Sequence, residues 1–269
     1  MPKVIFITGA SSGIGKAIGD FLIDRNFTVV GTSRKPENYT STSRFPLVAL
    51  DVTQQETISA AVKTVLESEG KIDVLINNAG VGITGPIEET PAAEIQKAFH
   101  TNVFGPIEVI KAVLPAMRSN GSGKIINITS IAGYMGLPYR GIYSATKAAL
   151  EITTEAMRME IRQFGVEMSN VAPGDFATNI AAGRYHAPIN ADSPYNAAYA
   201  STLQMMNDHV NSGENPEKMA RAILEIIENP SPKIHYKVGA PLQKFSIVLK
   251  RILPDKLYER MLLNHYKLK

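Results

Sequence analysis

The chain has 269 residues, of which 44% are hydrophobic and 20% charged, so it can bury a large core without disulfides or structural metals. It contains no cysteine, which excludes disulfide scaffolds, zinc–thiolate sites, iron–sulfur clusters and thiol nucleophiles. A net charge of +3 is too small to indicate nucleic-acid binding, and no apolar run approaches the roughly 18 residues of a membrane-spanning helix. The first residues lack a secretory-signal pattern, so we expect a cytoplasmic protein.

Short apolar runs recur along the chain and alternate with segments of helical character. Runs rich in Val, Ile and Leu predict strands that begin at Val4, Phe27, Pro46, Asp73, Lys124, Val166 and Lys233. Most of these runs are continuously apolar rather than alternating, as expected for strands covered on both faces. Helices are predicted between them, among others over 15–25, 53–69 and 103–118. This alternation predicts one α/β domain over residues 1–269, with a parallel, doubly wound sheet.

The first predicted strand runs into a glycine-rich turn, Thr8-Gly9-Ala10-Ser11-Ser12-Gly13-Ile14-Gly15, and a predicted helix follows. Gly9 permits a tight turn, Gly13 lets backbone N–H groups approach a pyrophosphate, and Gly15 lets helix and strand pack closely. The helix N-terminus adds a partial positive charge that faces the phosphates. The spacing is G-x-x-x-G-x-G rather than the commoner G-x-G-x-x-G. A glycine trio alone is a weak signal, but at the first strand–helix junction of a parallel sheet it predicts a dinucleotide site.

The end of the second predicted strand indicates which dinucleotide binds. An NAD site usually has Asp or Glu here for the ribose hydroxyls, whereas a cation suits the 2′-phosphate of NADP. Arg34 and Lys35 occupy this position, and the acid is missing. The sequence therefore predicts NADP as the cofactor. Binding of NAD as well, or two merely solvated charges in a loop, are the alternatives.

Three further residues form a candidate catalytic set. Ser130 ends a predicted strand, and Tyr143 and Lys147 lie four residues apart on a long predicted helix, where they share a face. A free phenol has a pKa of about 10, and an ammonium nearby stabilises the phenolate and lowers that pKa. Tyr143 is therefore a candidate general acid/base for alcohol–ketone interconversion, with Ser130 at the substrate oxygen. A Tyr-x-x-x-Lys pair alone, however, is common by chance.

Taken together, these motifs resemble the pattern of the short-chain dehydrogenase/reductase family. The matching residues, in order and spacing, are 8–15, Asn77-Asn78-Ala79-Gly80, Asn102, Ser130, Tyr143, Lys147 and Pro173-Gly174 with Thr178. They cover roughly residues 3–180, with weaker likeness to the end of the chain. The resemblance implies a seven-stranded Rossmann sheet and hydride transfer to or from a nicotinamide. The stretch 130–139 is most similar to the hydroxysteroid and retinol dehydrogenase branch.

The resemblance also implies roles for individual residues. Ser130 would position the carbonyl, and Tyr143 would pass the proton. Lys147 would bind the nicotinamide ribose, and Asn102 would hold a water that completes a proton relay. The implied cofactor contacts are Gly9, Ser11, Ser12, Gly13, Ile14, Gly15, Arg34, Asp51, Val52, Asn78, Ala79, Gly80, Tyr143, Lys147, Pro173, Gly174 and Thr178. Without the other motifs, the asparagines would be read as turn and helix-cap residues.

Residues 179–213 correspond to the position of the family's substrate lid. They contain Met and Tyr side chains that suit a lipophilic ketone, aldehyde or secondary alcohol, although ordinary core packing is the alternative.

The histidines are scattered, and no metal site is expected. An NAD-dependent alcohol dehydrogenase of the same family, or a dinucleotide-sensing protein without turnover, are the competing functions. Such sensors commonly lose the tyrosine or lysine, and this chain keeps both.

The helix after Tyr143 carries two apolar stripes. Leu150, Met157, Ile161 and Phe164 form one stripe, and Ala149, Ile152, Ala156 and Met159 form the other. So wide an apolar face suggests burial on two sides, and together with the helix over 103–118 it predicts a homodimer or homotetramer. A deeply buried crossover helix in a monomer is the alternative.

Positive charge is concentrated at the end of the chain. From Lys233 onward there are nine Lys/Arg and two acidic residues, a net charge of +7, which leaves −4 for the remainder. Residues 241–269 also carry many apolar side chains, so they predict a basic amphipathic tail. Such a segment can lie on an anionic membrane or cover another subunit. Docking on its own domain, with a solvated basic face, is the interpretation that we favour from the sequence.

Overall fold

The structure is a computed structural model that describes residues 2–176, 183–211 and 213–268, without the side chains of 209–211. Its strands are β1 (Val4–Ile7), β2 (Thr28–Ser33), β3 (Leu47–Ala49), β4 (Val74–Asn77), β5 (Ile83–Thr84), β6 (Gly123–Ile128), β7 (Val166–Pro173), β8 (Tyr185–His186) and β9 (His235–Val238). Its helices are α1 (Gly13–Ile23), α2 (Gln55–Glu69), α3 (Ala92–Phe99), α4 (Gly105–Ser119), α5 (Gly141–Ile161), α6 (Asn196–Asn211), α7 (Glu217–Glu228), α8 (Pro241–Ile252) and α9 (Asp255–His265).

The main sheet has seven strands in the order β3-β2-β1-β4-β6-β7-β9, and every neighbouring pair is parallel. In register, Ile5 of β1 lies between Val29 of β2 and Val74 of β4. The strand order reverses between β1 and β4, which is the point where doubly wound sheets bind ligands at their carboxyl edge. The predicted seven-stranded Rossmann sheet is confirmed.

Both faces of the sheet are covered by helices, which explains the continuously apolar strands. Ile5 and Ile7 face a cluster that includes α1 and α7, whereas Val4 and Phe6 face the helices on the other side, α2 and α4. Successive strand residues point to opposite faces, so a strand between two helical layers needs apolar residues at every position.

Two features of the fold differ from the sequence-based expectation, and a third, the docked C-terminal tail, agrees with the interpretation favoured from the sequence. The helix predicted over 103–118 begins at Gly105 and is preceded by α3 and by a π-helical turn at His100–Phe104. The strands β5 and β8 pair with each other in a separate two-stranded sheet. The basic tail folds into α8 and α9, which dock on the main domain. Among the described residues, no helix is both long and apolar enough to cross a bilayer.

Candidate active site

The predicted site residues gather at the carboxyl edge of the main sheet. The glycine turn follows β1, Arg34 follows β2, and Asp51 lies just after β3. Further along the same edge, in the part of the chain that the structure describes, are Asn78 to Gly80 after β4, Ser130 after β6, and Pro173 and Gly174 at the end of β7. Thr178 lies outside the described residues. Since parallel strands end at one edge, motifs far apart in sequence line a single crevice.

The glycine turn has no room for side chains where a ligand would approach. Gly9 and Gly13 have φ values of 65° and 57°, which favour glycine. A Cβ on Gly15 would lie 2.5 Å from Nδ2 of Asn78. The side chain of Ser12, at the N-cap of α1, makes no capping hydrogen bond to any described residue. The first-turn N–H groups of α1 are therefore available to an anion, and the cradle fits a pyrophosphate.

Thr8 and Asn78 tie the glycine turn to the end of β4. The Thr8 hydroxyl oxygen accepts hydrogen bonds from the backbone N–H groups of Asn78 and Ala79, both at 3.0 Å. The Asn78 side-chain nitrogen donates to the carbonyl oxygens of Thr8 and Gly9, at 3.0 and 2.9 Å. The amide nitrogen of Asn78 is thus used in shaping the turn, and this region offers a ligand mainly the backbone of Ala79 and Gly80.

The basic pair after β2 is unpartnered, whereas the residues after β3 are partly engaged. Arg34 and Lys35 are exposed and form no ion pair with any described residue. The Asp51 carboxylate accepts hydrogen bonds from the backbone N–H and hydroxyl of Thr53, at 2.9 and 2.7 Å. Val52 is buried. Arg34 and Lys35 are therefore free to meet an anionic group at this edge.

Asn102 connects the loop after β4 to α5. It is buried within the π-helical turn, and its Oδ1 accepts from the backbone N–H of Val81 at 2.8 Å. Its Nδ2 donates to the Val81 carbonyl at 2.9 Å and to the Thr146 hydroxyl at 3.1 Å. π-Helical turns of this kind are frequent at functional sites. Asn102 therefore lies inside a helical segment rather than at a cap, close to the turn that carries Tyr143 and Lys147.

The Lys147 ammonium is buried beneath the Tyr143 ring. Nζ of Lys147 donates to the Ile128 carbonyl at 2.9 Å and lies 5.9 Å from the centroid of that ring. Burial lowers the pKa of Lys147, and the neighbouring Tyr143 and Glu151 act in the opposite direction. A Cβ at Gly80 would lie 3.5 Å from Nζ, so the glycine leaves this space open. The tyrosine and lysine thus lie close together, as their spacing predicts.

Ser130 and Tyr143 line one cavity of about 630 Å³. The Ser130 hydroxyl oxygen accepts from the backbone N–H of Ala132 at 3.1 Å, which leaves its own O–H free to donate. Ile14 of the glycine turn and the pair Pro173–Gly174 also line this cavity. A hydroxyl, a phenol and the dinucleotide cradle therefore meet around a single space.

The structure adds two arginines to this cavity that sequence reasoning missed. The Arg140 guanidinium carbon lies 5.3 Å from the centroid of the Tyr143 ring. Arg184 packs over Gly82, where a Cβ would lie 3.0 Å from its Nε. Its Nη1 is buried and has no hydrogen-bond partner, and burial, together with Arg140, lowers its pKa. Because no spacing rule links residue 184 to residue 143, only the pairing of β5 with β8 places this guanidinium here.

The acidic groups on the same cavity wall already have partners. The Asp175 carboxylate accepts from the side-chain amide of Gln243 at 2.6 Å. Glu214 forms a 2.8 Å ion pair with Lys218. Nη1 of Arg184 is therefore a buried donor on this wall that no hydrogen bond to a described residue uses.

A buried carboxylate one turn beyond Lys147 was also missed. Glu151 accepts hydrogen bonds from the hydroxyls of Thr129 and of Tyr134, the latter at 3.0 Å. Nδ1 of His235 lies 2.8 Å from the same carboxylate. Burial and Glu151 together raise the pKa of Tyr134. The repeated four-residue spacing of Tyr143, Lys147 and Glu151 was a usable signal, because it puts all three on one face of α5.

The predicted substrate lid, residues 179–213, contributes some side chains to the cavity wall and others to the hydrophobic core. Met206 lines the cavity, as expected for a substrate lid. Tyr199, by contrast, is fully buried, and its hydroxyl donates to the Thr84 carbonyl at 3.2 Å, so this side chain is core. Ile180 lies outside the described residues, and Ile189 is exposed.

Comparison with protein families agrees with this geometry. A model of the short chain dehydrogenase family matches residues 3–188, more than half of the chain. The chain belongs to the short-chain dehydrogenase/reductase family. It is accordingly an oxidoreductase of the class that interconverts alcohols and carbonyls.

Two characterised relatives extend the similarity beyond the family segment. The 3-ketodihydrosphingosine reductase of Bacteroides thetaiotaomicron is 37% identical over 269 residues, which cover 100% of this chain and 99% of that protein. Retinol dehydrogenase 8 of Homo sapiens is 30% identical over 254 residues, which cover 87% of this chain and 80% of that protein. The similarity to the Bacteroides enzyme therefore includes the C-terminal region.

Solved structures of the same family superimpose on the chain. A short-chain dehydrogenase from Streptomyces avermitilis has a TM-score of 0.82 and 33% identity, covering 99% of this chain and 96% of that one. A Burkholderia cenocepacia enzyme in complex with NADP has a TM-score of 0.76 and 26% identity, with coverages of 96% and 97%. A Burkholderia phymatum enzyme in complex with NAD has a TM-score of 0.79 and 26% identity, with both coverages at 93%.

Proposed function

We propose that the protein is an NADP(H)-dependent oxidoreductase that interconverts a lipophilic carbonyl compound and its alcohol, with Tyr143 as general acid/base. The observation that carries this proposal is the arrangement around one cavity: Ser130 and Tyr143 line it, and Lys147 lies buried beneath the phenol. A protein that only senses a dinucleotide has no need of a phenol held beside an ammonium.

Each of these side chains has a distinct task. A bound nicotinamide cofactor supplies or accepts the hydride. The free O–H of Ser130 donates a hydrogen bond to the substrate oxygen and so orients it. Tyr143 gives its phenolic proton to that oxygen during reduction and takes one from it during oxidation. The Lys147 ammonium lies close enough to offset the negative charge that the phenol oxygen gains when it gives up its proton.

The preference for NADP rests on the exposed, unpartnered Arg34 and Lys35 at the end of β2. A 2′-phosphate offers these cations charge-assisted hydrogen bonds, which the ribose hydroxyl of NAD does not. Family members solved with NADP and with NAD both superimpose on the chain, so binding of NAD remains the weaker alternative. The glycine turn and its neighbours Ala79 and Gly80 are proposed to hold the pyrophosphate and ribose, and Asp51 with Val52 to hold the adenine.

A lipophilic substrate is supported by the cavity and by the relatives. Many of the residues that line the cavity are apolar, among them Met135, Leu137, Met206, Leu242, Leu249, Met261 and Leu262. The names of the two relatives described above denote substrates with long hydrocarbon parts. Burying an alkyl chain against these walls is favourable by about 0.8 kcal/mol per methylene.

Assembly into a homodimer or homotetramer in the cytoplasm is a further part of the proposal. One predicted stripe of α5 is in the core, where Leu150 and Ile161 are buried. The other stripe is not covered by its own chain, since Ile152 and Met159 are 67% and 73% exposed. An apolar stripe left open on a long helix favours a second copy as its cover. A sedimentation mass equal to one chain would contradict assembly.

The test of the function is a panel of carbonyl compounds, from short polar aldehydes to long-chain ketones, followed by loss of NADPH absorbance. We expect turnover of long-chain carbonyls with a KM for NADPH at least about tenfold below that for NADH. Reversing the charge with Arg34→Glu should remove this difference while leaving the rate with saturating NADH unchanged. A clear NADH preference would refute the cofactor assignment, and binding of NADPH without turnover of any carbonyl would favour a sensor.

A further inference from the structure

The two C-terminal helices remain amphipathic after they have docked on the domain. Ile247 of α8 and Tyr258 of α9 are buried in a cluster around Met135 and so attach the helices to the domain. The outer side of α8 exposes Phe245 (52% exposed) and Ile252 (67% exposed), which lie seven residues apart and therefore on one face. One face of the tail is thus docked on the domain, and the face that is open to solvent carries apolar as well as basic side chains.

Basic side chains are interleaved with the exposed apolar ones in a regular way. Along the two helices, four exposed apolar residues are each directly preceded by an exposed Lys or Arg: Lys244-Phe245, Arg251-Ile252, Lys256-Leu257 and Arg260-Met261. Of the two acidic residues here, Asp255 is already paired with Lys250 at 3.2 Å. We call these four pairs, together with Leu242 and Val248, the C-terminal surface.

The cavity opens beside the C-terminal surface. Leu242 and Met261 are 76% and 39% exposed, and both also line the cavity that contains Ser130 and Tyr143. A side chain that is both solvent-exposed and cavity-lining marks the mouth of the cavity. The C-terminal surface therefore adjoins the cavity that Tyr143 lines.

We propose that the C-terminal surface docks on an anionic lipid bilayer and that the cavity takes up its substrate from that bilayer. The apolar side chains would enter the boundary between head groups and acyl chains, while the flanking basic side chains meet lipid phosphates. Docking does not depend on the reaction, whereas uptake of substrate rests on the proposed function. An amphiphile can then place its polar carbonyl end near Tyr143 while its hydrocarbon chain stays in the apolar mouth.

Charge favours a lipid surface over a second copy of the chain as the occupant. A two-fold dimer through this surface would bring the same basic surface of two copies together. The segment from Lys233 onward carries a net charge of +7, so such a contact would bring like charges together. Anionic lipid supplies the opposite charge and the apolar phase at the same time, with about 1 kcal/mol gained per basic residue near the surface.

Vesicle flotation of the full chain tests this proposal without any need for substrate. The probes are vesicles of phosphatidylcholine alone and of phosphatidylcholine with about 30% phosphatidylglycerol. We expect at least about tenfold stronger partitioning to the anionic vesicles, and a marked loss of binding when salt is raised from about 0.1 M to about 0.5 M.

Two double variants separate the apolar and the electrostatic contributions to vesicle binding. Phe245→Ser with Ile252→Ser, and Lys256→Glu with Arg260→Glu, should each weaken partitioning at least about tenfold. The matched controls are Ile87→Ser, which removes an equally exposed apolar side chain elsewhere, and Lys63→Glu with Lys97→Glu, which changes the net charge by the same amount. Both controls should bind vesicles as the unmodified chain does.

Three results would overturn the proposal: no binding to anionic vesicles, equal binding to both vesicle types, or loss of binding in the controls as well. A sedimentation mass that falls when Phe245 and Ile252 are replaced would show instead that a second copy covers this surface. None of the four replaced residues lines the cavity, so turnover of a short, water-soluble carbonyl should stay unchanged. Failure of docking and failure of the proposed reaction are therefore measured separately.

Discussion

The two ends of the cavity are built from different kinds of interaction. At the reaction end, Asn102, Lys147 and Glu151 are buried, and each is held by hydrogen bonds to the surrounding chain. At the mouth, Leu242 and Met261 are apolar and partly exposed. Proton transfer needs groups already held in place, because small displacements weaken it strongly, whereas a hydrocarbon chain needs only apolar area. Substitutions at the two ends should therefore differ in the size of their effect and in the kinetic constant, kcat or KM, that they change.

The largest effect is expected for Tyr143→Phe at the reaction end. Removing the phenolic oxygen removes the proposed proton donor, so kcat should fall about 10³-fold or more. The affinity for NADPH should stay the same, because the glycine turn and Lys147 are untouched. Steady-state kinetics measure the loss of kcat, and a fluorescence titration with NADPH measures the cofactor affinity.

Tyr134→Phe is the matched control for that substitution, since its hydroxyl contacts Glu151 and it does not line the cavity. It should keep most of the turnover and lose some stability. Equal losses of kcat in both variants would mean that the defect is structural, and full activity of Tyr143→Phe would mean that another group transfers the proton.

A smaller effect is expected for Arg184→Met, still at the reaction end. The buried Nη1 has no partner in the structure, so we expect it to donate to an oxygen of the bound substrate. Its loss should raise KM about tenfold with little change in kcat, and Arg184→Lys should recover part of the binding. Because an unpaired, desolvated guanidinium is removed, the free energy of unfolding should stay the same or rise. Unchanged KM in both variants would show that Arg184 makes no substrate contact.

Glu151→Gln should change the pH dependence more than the maximal rate. The carboxylate is one of two groups that raise the pKa of Lys147 against the effect of burial. Without that negative charge, the pKa of Lys147 falls further, so its ammonium is lost at a lower pH. The high-pH decline of kcat should accordingly move to lower pH, and an unshifted pH–rate profile would contradict this coupling.

The same substitution has a structural consequence that can be measured separately. Thr129, Tyr134 and His235 lose a charged acceptor, and the free energy of unfolding should drop by about 1–3 kcal/mol. Denaturant unfolding measures this loss. The unfolding experiment and the pH–rate profile therefore report two consequences of removing one carboxylate.

The sequence predicts those parts of the fold and of the cavity whose pattern lies within a short stretch of chain. The seven strands of the main sheet, the glycine turn, and Tyr143 with Lys147 follow from runs and spacings within a few residues. The strands β5 and β8 are two residues long each, too short for any periodicity, and they pair across about a hundred positions. Arg184 becomes a cavity residue only through that pairing. The π-helical turn at His100–Phe104 likewise has no composition that sets it apart from ordinary helix.

The smallest effect is expected at the mouth, for Met261→Ser. This side chain is 39% exposed, so replacing it removes part of an apolar wall that is worth about 1 kcal/mol to a long alkyl chain. The KM for a long-chain carbonyl should therefore rise about fivefold, while kcat and the KM for a short carbonyl stay constant. Ile87→Ser removes an exposed apolar side chain outside the cavity and should change neither. If instead Met261→Ser lowers kcat as Tyr143→Phe does, the mouth also positions the reacting carbonyl, and the division between the two ends is wrong.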